Sequence, residues 1–292
     1  VSEMVASQEM VQDKPGVRAR AALGLGQGSD RACTAVQLAG RDPGWMAEAA
    51  RRVEDAGAAL IDINMGCPAK KVTGGLSGSA LMREPDRALR LIEAVVGAVS
   101  VPVTLKCRLG WDDGQRNVAA LAVRAEAAGI AMLTVHGRTR CQFYKGTADW
   151  AAIAEAVAAV RIPVIANGDI VDAATARQAL RASGAAGVMV GRRAQGRPWR
   201  PAQIAAEVFG APRPDVPVGA ARAAMVAAHY EDILLFYGAD LGLRTARKHL
   251  GWYMDDAGTP PALRREMLTA RTPAAVLARL PDALAGAEAL AA

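Results

Sequence analysis

Six short apolar runs recur along the chain at the spacing of strand-helix units, and this repetition limits the possible folds most strongly. Each run is rich in Val, Ile, Leu or Thr along its length and carries polar side chains at its C-terminal end. Successive runs begin 24 to 42 residues apart, at residues 33–39, 59–64, 101–108, 132–136, 163–167 and 187–191. This spacing predicts an α/β fold, a TIM (β/α)8-type barrel, with its chemistry where the strands end.

The start of the chain does not supply a complete first unit. Residues 1–5 have the pattern of the end of a strand, and a polar, Gly-rich connection follows through residue 30. The chain also begins with Val rather than Met. We expect the barrel to lack most of its first units, which would leave two strand edges without a neighbour.

The composition changes after residue 199. Pro212, Pro214 and Pro217 indicate a linker, and the segments that follow have helical composition without strand patterns. We predict three parts: an N-terminally incomplete barrel over residues 1–199, a linker over 200–217, and a small helical bundle over 218–292.

Composition and spacing exclude several classes of site. No apolar run reaches the roughly 18 to 20 residues of a membrane span, and the N-terminus lacks the layout of a secretory signal. The cysteines at 33, 67, 107 and 141 lie more than 30 residues apart, unlike those of zinc, iron–sulfur or CxxC sites. We expect a cytoplasmic monomer with free thiols and no metal.

The second run ends in Asp62-Ile-Asn-Met-Gly-Cys67-Pro68, where a buried strand turns into a Gly-rich loop. A free cysteine is most often a buried packing residue, but Cys67 lies in a turning segment outside the strand. A thiol with the ordinary pKa of about 8.5 is mostly protonated at neutral pH. Cys67 is therefore a candidate proton donor.

Two late runs end in glycine, at Asn167-Gly168-Asp169 and at Gly191-Arg192. Loops after the last two strands of a barrel often hold a phosphate, because glycines let backbone amides approach it. A glycine at a strand end is also a common turn. A phosphate site and a pair of plain turns are about equally good interpretations.

Three polar side chains near other run ends are further candidates. Lys106 is costly to bury without an anionic partner, so it either meets a ligand or forms a structural ion pair. His136 is either a packed core histidine or a ligand contact. Gln37 offers a donor and acceptors that suit the amide edge of a planar heterocycle.

Together these motifs resemble those of the tRNA-dihydrouridine synthases, and in particular the bacterial B-type enzymes. The resemblance runs from residue 1 to about residue 255. Its motifs are VQLAG at 36–40, DINMGCP at 62–68, LK at 105–106, HGRT at 136–139, NGD at 167–169 and GR at 191–192.

The resemblance implies an oxidoreductase that uses FMN, with NADPH as reductant, to reduce the C5=C6 bond of uracil in tRNA. It implies that Cys67 protonates C5 and that Asn64 holds the edge of the uracil. It also implies that FMN is bound by Gln37, Lys106, His136, Asn167, Gly168, Asp169, Gly191 and Arg192.

The basic charge then suits an RNA partner. The net charge is +6, and the basic excess falls within residues 1–199, where many basic side chains, Arg108 among them, follow strand ends. We expect tRNA contacts from the helical part as well. The expected substrate-binding side chains are those of Lys70, Lys71, Arg138, Arg140 and Lys248.

The N-terminus departs from the family pattern. The family begins with a strand ending in a Pro-Met-Ala-Gly-like segment that touches FMN, and residues 1–32 contain no match to it. We therefore expect this chain to bind FMN poorly or to aggregate.

Two alternatives remain open from the sequence. One is a different FMN barrel, such as a dihydroorotate-type dehydrogenase acting on a free pyrimidine, although that reading leaves the helical part and the basic charge unexplained. The other is a protein that binds RNA without flavin chemistry.

Overall fold

The computed structural model describes residues 1–14, 16–17 and 34–285. The chain forms two compact units. The first comprises Val1–Ile170 and Ala174–Met189, and the second comprises Val171–Ala173 and the chain from Val190 onward.

The first unit is built on a seven-stranded, fully parallel sheet in which the strands pair in chain order. All six predicted runs contain a strand, with ends shifted by up to two residues, and the expected strand near the N-terminus is present as β1. The predicted α/β class is therefore confirmed, while the absence of the first barrel units stays a prediction. The strands are β1 Val5–Ala6, β2 Ala35–Ala39, β3 Leu60–Met65, β4 Val103–Arg108, β5 Met132–His136, β6 Val164–Asn167 and β7 Gly187–Met189.

Helices follow the strands, as the spacing predicts. Asp42 caps its helix by accepting a hydrogen bond from the Trp45 N–H at 3.0 Å, and Pro43 occupies the first turn. In the described part of the chain up to β7, the helices are α1 Ser7–Val11, α2 Pro43–Asp55, α3 Lys70–Thr73, α4 Pro85–Val96, α5 Val118–Ala127, α6 Ala154–Ala159 and α7 Ala173–Ser183. Short 3₁₀ helices span Gly78–Arg83 and Ala151–Ile153.

The two faces of the sheet differ in polarity. Side chains alternate between faces along a strand, and residues paired in register share a face. One face carries the apolar series Val36, Ile61, Ile63, Leu105, Cys107, Leu133, Val135 and Ala166. The other carries the polar series Gln37, Asp62, Asn64, Thr104, Lys106, Arg108, Thr134, His136 and Asn167. This corrects the expectation of strands that are polar only at one end.

The second unit is helical. The predicted linker is wrong over its first half, because Arg200–Phe209 forms a helix, α8, with Pro201 tolerated in its first turn. The later helices α9 Gly219–Tyr237, α10 Ala239–Ala257, α11 Pro261–Thr269 and α12 Pro273–Leu284 pack around a shared apolar core. Tyr230, Leu250, Met254 and Leu280 are among its most buried members.

Within the described ranges, no helix combines the length and the apolar character that crossing a membrane requires.

Candidate active site

Cys67 lies just beyond β3, at the start of a tightly held loop. The residue is half-buried. Its carbonyl oxygen accepts hydrogen bonds from the Ser79 N–H at 3.1 Å and from the Ser79 hydroxyl at 2.8 Å. Gly78 has a φ of +58°, and a Cβ there would lie 2.9 Å from the Cys67 oxygen. The Gly-rich loop therefore folds back closely on the cysteine.

The other described cysteines differ from Cys67. Cys107 is fully buried on the apolar face of the sheet, and burial raises the pKa of its thiol to about 12. Cys141 is exposed, and Cys33 lies outside the described residues. Among those residues no group of three or more His, Cys, Asp or Glu side chains could hold a metal ion.

Four side chains on the polar face form one hydrogen-bonded chain, which we call the amide network: Thr104, Asp62, Gln37 and Asn64. Asp62 accepts from the Thr104 hydroxyl at 2.7 Å and from Gln37 Nε2 at 2.6 Å. Gln37 Oε1 accepts from Asn64 Nδ2 at 2.7 Å. Asn64 Oδ1 in turn accepts the backbone N–H groups of Gly66 at 3.1 Å and Cys67 at 2.9 Å.

Lys106 lies beside Asn64 in register on the same face. Among the described residues its ammonium group has no hydrogen-bond or ion-pair partner. Burial lowers the pKa of Lys106, and the nearby Asp62 carboxylate acts in the opposite direction. Burial likewise raises the pKa of Asp62, against the hydrogen bonds from Thr104 and Gln37. A half-buried cation without a partner is suited to an anionic or electron-rich ligand.

Arg108 is the principal site residue whose role sequence reasoning missed. It is 2% exposed, and its guanidinium donates to the carbonyl oxygens of Gly66 at 2.7 Å, Thr139 at 3.0 Å and Phe143 at 2.9 Å. The expectation that Arg108 belongs to a basic, RNA-facing rim is therefore wrong. Arg108 instead ties the Cys67 loop to the loop that follows β5.

The expectation that Arg138 contacts tRNA is also wrong. It is 2% exposed, and its guanidinium donates to Asp169 at 2.6 Å and to the carbonyl oxygens of Lys145 and Gly146 at 3.1 and 2.7 Å. A buried, ion-paired guanidinium cannot serve as a surface contact to tRNA. Burial opposes ionisation of Asp169, but the hydrogen bonds from Arg138 and the Ala148 N–H outweigh it and hold the pKa of Asp169 below its usual range.

His136 is buried beside this pair, where Arg138 Nη1 lies 3.3 Å from His136 Nε2. A guanidinium only donates, so Nε2 is the acceptor and Nδ1 carries the proton. Burial, together with the charges of Arg108, Lys106 and Arg138, lowers the pKa of His136 to about 3. His136 is therefore neutral at physiological pH.

This depressed pKa predicts a pH-dependent stability. An unfolded histidine takes up a proton below about pH 6.5, whereas His136 in the folded protein stays neutral down to about pH 3. Its contribution to stability is complete above pH 6.5 and declines as the pH falls. Between about pH 7.5 and 5.5 the free energy of unfolding should fall by about 1.4 kcal/mol on account of His136.

Urea denaturation of the parent and His136→Gln at these two pH values isolates this contribution. The difference in unfolding free energy between the two pH values should be smaller in the variant by the amount given above. Equal pH dependence in both proteins would contradict a buried, neutral His136.

The NGD segment at 167–169 lies next to His136. Asn167 is buried and donates from Nδ2 to the Met189 carbonyl oxygen at 2.8 Å. Gly168 has a φ of +110°, and a Cβ there would lie 2.8 Å from that of Ala148 and 3.3 Å from the His136 ring. Gly168 is thus required both by its backbone conformation and by the lack of space.

The remaining expected residues make none of the contacts described above. Gly191, Arg192 and Lys248 belong to the second unit, and all three are exposed. Lys70 and Lys71 are exposed on α3. A phosphate site that joins Gly191 and Arg192 to the NGD segment stays a prediction.

Arg140 is half-buried on the loop after β5. Its guanidinium lies over the rings of Trp111 at 4.6 Å and Phe143 at 5.2 Å, and it donates to the Thr73 hydroxyl at 3.4 Å. The Arg83 guanidinium also lies over the Trp111 ring, 4.1 Å from the ring centre. Arg140 therefore links the loop after β5 to α3 by a hydrogen bond and to Trp111, after β4, by packing.

Comparison with known proteins identifies a family for nearly the whole chain. Residues 1–288 match the family model described as Dihydrouridine synthase (Dus). The chain is 64% identical over 289 residues to a probable tRNA-dihydrouridine synthase of Rhodobacter capsulatus, covering 99% of this chain and 88% of that protein. It is 51% identical over 290 residues to a protein of the same description from Rhizobium leguminosarum, covering 97% and 86%. It is 51% identical over 248 residues to tRNA-dihydrouridine synthase B of Xanthomonas campestris, covering 85% and 74%.

Proposed function

Because this chain belongs to the dihydrouridine synthase family, we propose that it reduces the C5=C6 bond of uracil in tRNA, with FMN as cofactor and NADPH as reductant. The observation that carries the proposal is the position of Cys67. Cys67 is half-buried and follows β3 on a backbone fixed by Asn64, near the Lys106 ammonium group, which has no partner among the described residues. The fold is then a (β/α)8-type barrel whose polar face lines the site.

The residues present suit FMN. The Lys106 ammonium needs an anionic or electron-rich partner, and Gly168 keeps the space beside His136 free of a Cβ. Gln37, Lys106 and His136 would meet the ring system, and Asn167, Gly168, Asp169, Gly191 and Arg192 would surround the phosphate. Bound there, FMN supplies the hydride that adds to C6 of uracil, and NADPH renews it.

The protein's own groups supply the remaining steps. Addition of a hydride at C6 leaves negative charge on the pyrimidine, which must take up a proton at C5. Cys67 donates that proton from its thiol. Asn64 holds the Cys67 backbone in place through Oδ1, and Arg108 holds the preceding carbonyl oxygen of Gly66.

The tRNA would be held by exposed basic side chains rather than by the buried arginines. Lys70 and Lys71 are exposed on α3, which begins three residues after Cys67, and Lys248 is exposed on α10. Arg140 lies on the loop after β5 with its guanidinium over two aromatic rings, and such a surface suits an unstacked base. The target base must leave its stack to reach Cys67, at a cost of a few kcal/mol.

The direct test is NADPH-dependent formation of dihydrouridine on an unmodified tRNA transcript by the purified, FMN-supplemented protein. Activity on free orotate or dihydroorotate without RNA would instead favour the dehydrogenase alternative. Salt-sensitive tRNA binding without flavin would favour the non-enzymatic one. The flavin content of the purified chain also tests the expectation of weak FMN retention, while the cytoplasmic location and monomeric state stay predictions.

Lys106→Met should weaken FMN binding. The substitution keeps the length of the side chain but removes the half-buried charge, so the FMN dissociation constant should rise about tenfold or more, equivalent to about 1.4 kcal/mol. Quenching of flavin fluorescence during titration measures this constant. Lys71→Met removes an exposed lysine of the same unit and should leave it unchanged. Equal constants for the parent and Lys106→Met would contradict the placement of FMN at Lys106.

A further inference from the structure

The hydrogen bonds of the amide network can run in only one donor-to-acceptor direction, which we call its polarity. An amide side chain can be turned so that its oxygen and nitrogen exchange places, and neighbouring groups decide which orientation is satisfied. At one end, the backbone N–H groups of Gly66 and Cys67 only donate, so Asn64 must present its oxygen to them. Asn64 Nδ2 then faces Gln37 Oε1, and Gln37 Nε2 faces the Asp62 carboxyl group.

The other end enforces the same direction. An ionised Asp62 only accepts, and it receives hydrogen bonds from Gln37 and from Thr104. Reversing both amides would bring Gln37 Oε1 against the Asp62 oxygen and Asn64 Nδ2 against two backbone donors. Because Asn64, Gln37 and Asp62 are all at least partly buried, these unpaired contacts would be costly.

This polarity limits what Asn64 can offer to a ligand. Its oxygen already accepts two backbone N–H groups, and one Nδ2 hydrogen is given to Gln37. The second Nδ2 hydrogen has no partner among the described residues. Toward a ligand, Asn64 is therefore a donor, and it suits a carbonyl oxygen better than an amino group.

We propose that Asp62 and Gln37 are positioning residues that fix Asn64 as a hydrogen-bond donor to O4 of the target uracil. This inference rests on the proposed function. Asn64 is bonded to the backbone of Cys67, which protonates C5, and the ring atom next to C5 that carries an exocyclic group is C4. Uracil has an oxygen there, whereas cytosine has an amino group that would meet the Asn64 donor with a donor of its own.

The same hydrogen bond would assist the reaction. The incoming hydride forms a C6–H bond, the C5=C6 π pair moves to form C4=C5, and the C4=O pair moves onto O4 as an enolate. The enolate then collapses as C5 takes the proton of the Cys67 thiol, which leaves a thiolate. A donor fixed in advance at O4 stabilises the charge that develops there.

Two near-isosteric variants and one control test the proposal at saturating FMN. Asn64→Asp keeps the oxygen that accepts the N–H groups of Gly66 and Cys67. It has no hydrogen to donate to O4, because any proton on its second oxygen is donated to Gln37 Oε1. Its kcat should fall about 10²–10³-fold, as for other donors lost from a developing oxyanion. Its KM for tRNA should change little, because phosphate contacts dominate tRNA affinity.

Gln37→Glu places a second carboxyl group 2.6 Å from Asp62, at the distance now bridged by a hydrogen bond. The pair can share one proton and so keep the network intact at low pH, but it separates when that proton is lost. The kcat of Gln37→Glu relative to the parent should therefore fall as the pH rises from about 6 to 9, an effect that follows from the coupled titration. Thr104→Val removes a hydrogen bond to the same carboxyl group without adding a titrating group, and its relative kcat should not fall as the pH rises.

Asn64→Asp with the parental kcat, or with a loss only in KM, would overturn the donor role of Asn64. A relative kcat of Gln37→Glu that does not vary with pH would overturn the positioning role of Asp62 and Gln37. If the parent itself makes no dihydrouridine, the proposed function fails instead. Hydrogen exchange of the Gly66 and Cys67 backbone amides needs no substrate and then still tests the positioning role of Asp62 and Gln37. In Gln37→Glu these two amides should become less protected from exchange, relative to the parent, as the pH rises.

Discussion

Cys67→Ala should lower the rate of dihydrouridine formation by about 10²–10⁴-fold, the usual contribution of a positioned general acid. The alanine variant keeps the backbone N–H that Asn64 holds and the carbonyl oxygen that Ser79 holds, so the loop should keep its path. Binding of FMN and tRNA should therefore be close to parental. The rate is measured as dihydrouridine formed on an unmodified transcript under single-turnover conditions.

Cys141→Ala is the matched control, because it removes an exposed thiol from the same unit. Its rate should equal that of the parent. Cys107 offers no substitute acid, since it lies on the apolar face and burial raises its pKa to about 12. A Cys67→Ala variant that reduces uridine at the parental rate would remove the central role given to this thiol.

Asp169→Ala should be the most destabilising of the substitutions considered, at about 3–5 kcal/mol in the free energy of unfolding. The substitution leaves the Arg138 guanidinium, which is 2% exposed, without the one carboxylate partner that it has among the described residues. The two carbonyl oxygens and the His136 ring that remain do not neutralise its charge. Urea denaturation near neutral pH measures the loss.

Asp86→Ala is the control for this loss, because Asp86 forms an ion pair with Arg124 but its side chain is 80% exposed. That substitution changes the net charge equally and should cost no more than about 1 kcal/mol. The pKa of Asp169 is held low, so its stabilising effect is present above its unfolded pKa of about 3.9 and is lost as the pH falls below it. Similar losses for Asp169→Ala and Asp86→Ala would show that Arg138 does not depend on this pair.

The strands were predictable because their signal is local. Runs of β-branched and aliphatic residues at regular spacing located every strand of the sheet after β1, and the apolar run before Cys67 placed the thiol at a strand end. Alternation within β4, where Thr104, Lys106 and Arg108 are separated by apolar residues, carried information on the polar face. This alternation is present in the sequence, but the high apolar content of the strands obscures it.

The roles of the arginines were not predictable in the same way. Arg108, Arg138 and Arg140 each follow or end a strand, and nothing in their neighbours separates a buried guanidinium from an exposed one. The carbonyl partners of Arg108 come from Gly66 and Phe143, far from it along the chain. Their convergence depends on the tertiary fold, as does the chain of hydrogen bonds from Thr104 to Cys67.

Arg108 has a consequence for redesign of the loop after β5. Its three partners are main-chain carbonyl oxygens, which every amino acid provides, so its hydrogen bonds depend on the path of the backbone rather than on the identity of the side chains at 139 and 143. The length of the segment between them is not free, since an insertion or deletion would move one of the two oxygens out of reach. Grafts that aim at a new RNA preference should therefore exchange residues within this segment but keep its length.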